Sequence, residues 1–80
     1  MKRKKLQAEE SYAPVELWQE APEQYNHLGI NNGEYAIIID SHTGRGIYVV
    51  AKVKGVVRYC AYTDGNRVVN GFQKVSLNRH

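Results

Sequence analysis

The run that most constrains the fold is IYVVAKVKGVVRYCAY, residues 47–62, in which two stretches rich in β-branched and aromatic residues flank Lys54 and Gly55. Such stretches favour extended strands, and a glycine-containing dipeptide between them is typical of a hairpin turn. A two-residue turn places Val53 opposite Val56 and fixes the antiparallel register of the whole hairpin. The segment therefore predicts that the chain is built around a β-hairpin.

Because side chains alternate along a strand, this register divides the hairpin into two faces. The more apolar face holds Ile47, Val49, Ala51, Val53, Val56, Arg58, Cys60 and Tyr62. The other face holds Tyr48, Val50, Lys52, Val57, Tyr59 and Ala61. The first face is the better core candidate, and the second combines tyrosines with a lysine.

Further strands are predicted on both sides of the hairpin. Residues 34–40, EYAIIID, are rich in isoleucine, and two shorter strands are expected at residues 66–69 and 72–77. The dipeptides Asp64-Gly65 and Asn70-Gly71 bracket the first of these short strands and are typical of hairpin turns. The strands are therefore expected to follow one another in an antiparallel meander.

Helical turns are predicted only near the N-terminus. Pro14 and Pro22 each begin a short stretch that could form about two turns, since proline is favoured in a first helical turn. Residues 1–10 carry many charges and are expected to be a disordered tail, and residues 11–80 to form one small domain. The fold class is α+β, mainly β: one or two short helical turns, then a four- or five-stranded antiparallel meander from about residue 34 that could close like a barrel.

Charge divides the chain into three blocks. Residues 1–5 carry four cations, residues 6–44 carry seven carboxylates and no Lys or Arg, and residues 45–80 carry seven cations and one carboxylate. Such asymmetry indicates either that the acidic block packs against the basic block, or that the basic block is exposed to an anionic partner.

The second interpretation predicts contact with nucleic acid, with single strands or RNA favoured. Aromatic rings on a sheet face can stack on bases while neighbouring cations reach phosphates. The predicted contact residues are Arg45, Tyr48, Lys52, Lys54, Arg58, Tyr59, Arg67 and Lys74. The sequence contains no established RNA-binding or DNA-binding motif, so this prediction depends on charge and aromatic pattern alone.

The alternative hypothesis is a protein-interaction or inhibitor module that modulates a larger assembly. An exposed edge strand can recruit a partner chain through main-chain hydrogen bonds. The acidic N-terminal segment could instead contact a basic partner, through Glu16, Leu17, Trp18 and Glu20. The sequence leaves both routes, and the oligomeric state, open.

No enzymatic activity is expected. A chain of 80 residues buries a modest core and offers little room for a deep cleft. Asp40-Ser41-His42 are consecutive at a strand end, where side chains diverge, and they are more typical of a turn than of a catalytic triad. The three histidines and Cys60 lack the spacing of metal ligands, so neither a metal nor a cofactor is expected.

The cellular compartment is predicted from the absence of paired cysteines and of long apolar runs in the sequence. A single cysteine forms no internal disulfide, which favours a reducing compartment and a cytoplasmic protein. No apolar run approaches the ~20 residues that a transmembrane helix needs, so no membrane contact is expected.

Overall fold

The computed structural model describes residues 11–63 and 67–77 and shows a five-stranded mixed sheet with two short 3₁₀ turns. The 3₁₀ turns span Val15–Leu17 and Glu23–His27. The strands are β1 Gln19–Glu20, β2 Glu34–Ile39, β3 Gly46–Val53, β4 Val56–Ala61 and β5 Gln73–Lys74. They lie in the order β1-β4-β3-β2-β5, with β5 parallel to β2 and the other neighbours antiparallel.

The predicted β3–β4 hairpin is confirmed together with its register. Val53 pairs with Val56, and the pairing continues along both strands as far as Tyr48 and Ala61. Lys54 and Gly55 have φ angles of 53° and 81°, as a type I′ turn requires. The division of the hairpin into two faces follows from this register. We call the face that carries Val49, Ala51 and Arg58 the front face, and the opposite one the back face.

The predicted antiparallel meander is wrong for the last strand. After β4 the chain crosses to the far side of the sheet, where β5 pairs in parallel with the start of β2. The Asn70-Gly71 turn is not of the hairpin type, because only Gly71 has a positive φ, 83°. β1 and β5 lie at opposite edges and do not meet, so the sheet is open and does not form the barrel that the sequence allowed.

The remaining sequence predictions have mixed outcomes. The N-terminal helical turns are present, but as 3₁₀ turns of three and five residues. Within the described part of residues 66–69, Val68 makes a single parallel bridge to Ser11 in place of a strand. β1 was not predicted; it forms because the backbone becomes extended at Trp18 and the next two residues pair with β4. The Asp64-Gly65 turn and the predicted tail at residues 1–10 lie outside the described residues.

Both faces of the sheet are covered. The buried cluster on the front is Val15, Trp18, Val49, Ala51 and Val69. The buried cluster on the back is Ile30, Ala36, Val50 and Val57. A strand that is buried on both faces loses the alternation of apolar and polar residues, which explains the unbroken run at the centre of β3. The accessible features of the sheet are therefore its edges.

Candidate functional site

Two of the three arginines of the predicted nucleic-acid site, Arg58 and Arg67, hold the N-terminal segment against the sheet. Arg58 lies on the front face, and its Nη1 donates a hydrogen bond of 2.9 Å to the Trp18 carbonyl. Arg67 donates a hydrogen bond of 2.9 Å to the Ser11 carbonyl, and its guanidinium carbon lies 5.6 Å from the centre of the Tyr12 ring. Both cations therefore contact the protein itself, through backbone carbonyls of the segment that precedes β1.

The tyrosines of that predicted site lie together on the back face, where they pack against each other. The Tyr59 ring meets Tyr48 edge-on at 5.5 Å and Tyr25 edge-on at 6.2 Å, measured between ring centres. Tyr25 belongs to the 3₁₀ turn that covers this face. The ring of Tyr59 is thus half-buried among side chains of the protein, and Lys52 is half-buried on the same face.

The other cations of the predicted site are far apart. Arg45 and Lys54 flank the two ends of β3, an eight-residue strand, which separates them by about 25–30 Å at the usual rise per residue. Lys74 lies on β5, beyond β2. The structure brings Tyr48 and Tyr59 together but distributes the cations over both faces, both ends and one edge of the sheet.

Of the alternative interaction residues, Trp18 belongs to the core. Its side chain is 5 % exposed, its indole N–H donates a hydrogen bond of 2.8 Å to the Ala13 carbonyl, and its ring meets Tyr12 edge-on at 5.7 Å. The neighbouring Leu17 is 75 % exposed, between the exposed carboxylates of Glu16 and Glu20. We call these three exposed residues the acidic ridge; it remains an accessible surface, whereas Trp18 does not.

The most distinctive accessible feature is the outer edge of β2. β5 pairs only with Glu34 and Tyr35, and along the rest of β2 no described strand lies at this edge. The Tyr35 carbonyl points outward, since it accepts a hydrogen bond of 2.8 Å from the Val75 N–H. Because ladder hydrogen bonds alternate along an antiparallel pair, the N–H and C=O of Ile37 point outward as well.

This edge opens into a groove of about 780 Å³. Its lining residues come from both faces of the sheet. Those on the front are Ile37, Gly46, Tyr62 and Lys74, and those on the back are Leu28, Ile38, Val75 and Leu77. A strand laid along this edge would direct its side chains alternately to the same two faces. We call the groove and the edge at Ile37–Ile39 the β2 slot.

Gly46 shapes the front wall of the β2 slot. A Cβ atom at this position would lie 2.8 Å from Cδ2 of Tyr62 and 3.0 Å from Cγ2 of Ile37. Only glycine therefore lets the Tyr62 ring lie directly over the β3 backbone beside Ile37. Apart from Lys74, the side chains of this wall are apolar or aromatic, and Ile39 at its open end is 56 % exposed.

The described residues show little that indicates chemical catalysis. Asp40 forms part of a turn, as predicted, with Oδ1 accepting a hydrogen bond of 2.8 Å from the His42 N–H. Burial raises the pKa of the Cys60 thiol, and the nearby charge of Arg67 opposes this shift only in part, so the thiol stays protonated at neutral pH. No group of three or more His, Cys, Asp and Glu side chains able to hold a metal occurs in residues 11–63 and 67–77. Over the same ranges, no helix is long and apolar enough to cross a bilayer.

Comparison of this chain with models of protein families, with curated proteins and with solved structures found no match. A functional proposal therefore depends on the geometry of the chain's own residues. The sequence predicts an exposed edge strand as an interaction surface but does not locate the β2 slot. The signal that could have found it is the run of three isoleucines at the end of β2, which is more apolar than a guarded edge strand.

Proposed function

We propose that this protein is a small, non-enzymatic binding module that recruits a partner polypeptide by strand addition at the β2 slot. The observation that carries the proposal is the outward-pointing backbone of Ile37 within a groove lined from both faces of the sheet. In strand addition, main-chain hydrogen bonds supply affinity and side-chain pockets supply specificity. The β2 slot offers both along the three residues Ile37–Ile39, about 10 Å of strand.

The contrast between the two sheet edges supports this proposal. Natural sheets guard their edges with charged residues, prolines or bulges, because an exposed apolar edge recruits other chains. At one edge, β1 presents Gln19 and Glu20, and Glu20 is itself part of the acidic ridge. At the other, the uncovered part of β2 presents consecutive isoleucines, and the one guarding feature among them is the register shift between Ile38 and Ile39, at the far end from β5. The β2 edge is therefore the one suited to a partner strand.

Nucleic-acid contact remains the rival hypothesis. Its support is the basic composition of residues 45–80. The geometry favours it less, because Arg58 and Arg67 already bond to backbone carbonyls and the rings of Tyr48 and Tyr59 pack internally. Few of the proposed contacts could therefore engage one strand of nucleic acid together.

The test is selection of random peptides on the full chain, followed by NMR mapping of the amide shifts that a selected peptide causes. We expect the shifts to cluster at Ile37–Ile39 and at residues 75–77, because these residues line the β2 slot. A titration with oligothymidine serves as the parallel arm for the rival hypothesis. Shifts confined to the acidic ridge, or saturable shifts at Lys52 and Tyr59 with oligothymidine and none with any peptide, would overturn the proposal.

A further inference from the structure

The β2 slot is closed at one end. β5 lies beside Glu34 and Tyr35, and the Val75 N–H still bonds to the Tyr35 carbonyl. A strand lying along Ile37–Ile39 therefore meets Val75, the residue that follows β5, end-on. A bound chain that continues past this point must turn out of the sheet plane, whereas a chain that ends there fits without a turn.

A cation lies at this closed end. Lys74 lines the groove and is exposed. Its pairing with Tyr35 places it at the junction between β5 and the uncovered part of β2. An ammonium group at the blocked end of a strand site is complementary to the one negative group that every polypeptide carries at its end, the α-carboxylate.

The position of Lys74 also sets the direction of the bound strand. A carboxylate near Lys74 lies at the end of the slot closest to Tyr35, toward the start of β2. The bound strand then runs toward the start of β2, antiparallel to it. Antiparallel pairing is the slightly more stable of the two arrangements per residue.

Building on the proposed function, we infer that the β2 slot takes the free C-terminal end of a partner polypeptide, antiparallel to β2, with its α-carboxylate at Lys74. The residues before the terminus are apolar. Alternate side chains contact the front wall, at Ile37 and Tyr62, and the back wall, at Leu28 and Leu77.

Two random heptapeptide libraries, displayed on phage and selected against the full chain, test this inference. One library ends in a free carboxylate and the other continues into a fixed Gly-Ser tail. We expect enrichment from the free-ended library, because the tail must leave the slot past β5.

The best free-ended peptide is then synthesised in three forms: as the acid, as the C-terminal amide and with the Gly-Ser tail. Fluorescence anisotropy measures the three affinities. We expect the amide to bind roughly fivefold more weakly than the acid, which is the effect of one partly exposed charge pair. We expect the tailed peptide to bind at least about tenfold more weakly than the acid.

Lys74→Gln removes the positive charge of the slot but keeps a side chain of similar length. It therefore tests how much of the peptide affinity comes from that charge. We expect Lys74→Gln to bind the acid peptide about as weakly as the parent protein binds the amide peptide. We also expect the variant and the parent to bind the amide peptide with the same affinity. Lys54→Gln is the matched control, because this exposed lysine lies in the β3–β4 turn, away from the groove. Equal affinity for acid, amide and tailed peptide, with NMR shifts at Ile37–Ile39, would overturn the C-terminal inference and leave strand addition intact. Enrichment from neither library would overturn the proposed function itself, and the inference with it.

Discussion

Trp18→Ala is expected to remove most of the free energy of unfolding at 25 °C. Truncating a buried tryptophan typically costs about 3–5 kcal/mol, and a small domain has about 5 kcal/mol of stability in total. Trp18 is 5 % exposed at the centre of the front cluster. Its loss also removes the hydrogen bond to the Ala13 carbonyl and the packing that positions its own carbonyl to accept Arg58. Urea unfolding followed by circular dichroism measures the loss.

Leu17→Ala is the matched control for this prediction. The two residues are adjacent, yet Leu17 is 75 % exposed, and a surface substitution of this kind usually changes the free energy of unfolding by less than about 0.5 kcal/mol. If Leu17→Ala were the more destabilising of the two, the assignment of Trp18 to the core would be wrong. Any loss of partner binding in Trp18→Ala would report loss of the fold, whereas loss in Leu17→Ala would point to the acidic ridge.

Ile37→Pro is expected to weaken peptide binding at the β2 slot by more than about 100-fold. Proline removes the outward N–H of Ile37 and places ring carbons at the edge where the bound strand would lie. The β2–β3 ladder keeps its hydrogen bonds, because the Ile37 N–H points away from β3. Fluorescence anisotropy with a selected peptide measures the affinity, and the NMR spectrum of β3 and β4 checks the fold.

Ile37→Ala is the control, since it loses the same half-buried side chain but keeps the N–H. We expect it to bind less than about tenfold more weakly than the parent. Should either change at Ile37 unfold the chain, Ile39→Lys tests the same edge at a position that is 56 % exposed. Peptide affinity unchanged in both Ile37→Pro and Ile39→Lys would show that binding takes place elsewhere.

The β3–β4 hairpin could be predicted from the sequence because its determinants are local. A compact dipeptide lies between two β-rich stretches, and once Lys54 and Gly55 form a two-residue turn, the register and both faces follow. β2 could be predicted for the same reason, from a single run of β-branched residues. In each case the residues that determine the structure lie within a few positions of each other.

The sheet order could not be predicted in this way. The position of β5 depends on pairing between residues about forty positions apart, and the Asn70-Gly71 dipeptide favoured a hairpin that did not form. A long-range contact also determines where the Arg58 side chain lies, because its guanidinium donates a hydrogen bond to the carbonyl of Trp18, forty residues earlier. Charge in a sequence indicates which partners a surface admits, but it does not show whether the side chain is already bound to the protein.

The β2 slot arises from this unpredicted order. β5 is two residues long and β2 is six, so the part of β2 beyond Tyr35 is left without a neighbour among the described strands. The sequence predicts an isoleucine-rich strand and an exposed edge strand, but not which strand forms the open edge. Locating the opening required the parallel register of β5.

Amide hydrogen exchange at Ile37 and Ile38 in the free protein tests the open edge most directly. The two residues are adjacent on β2, but the N–H of Ile38 points toward Tyr48 on β3, whereas that of Ile37 points outward. We predict that the Ile37 amide exchanges at least about 100-fold faster than the Ile38 amide, because only the latter is protected by the sheet. Equally slow exchange at both amides would show that the edge of β2 is already paired, and would contradict strand addition at this site.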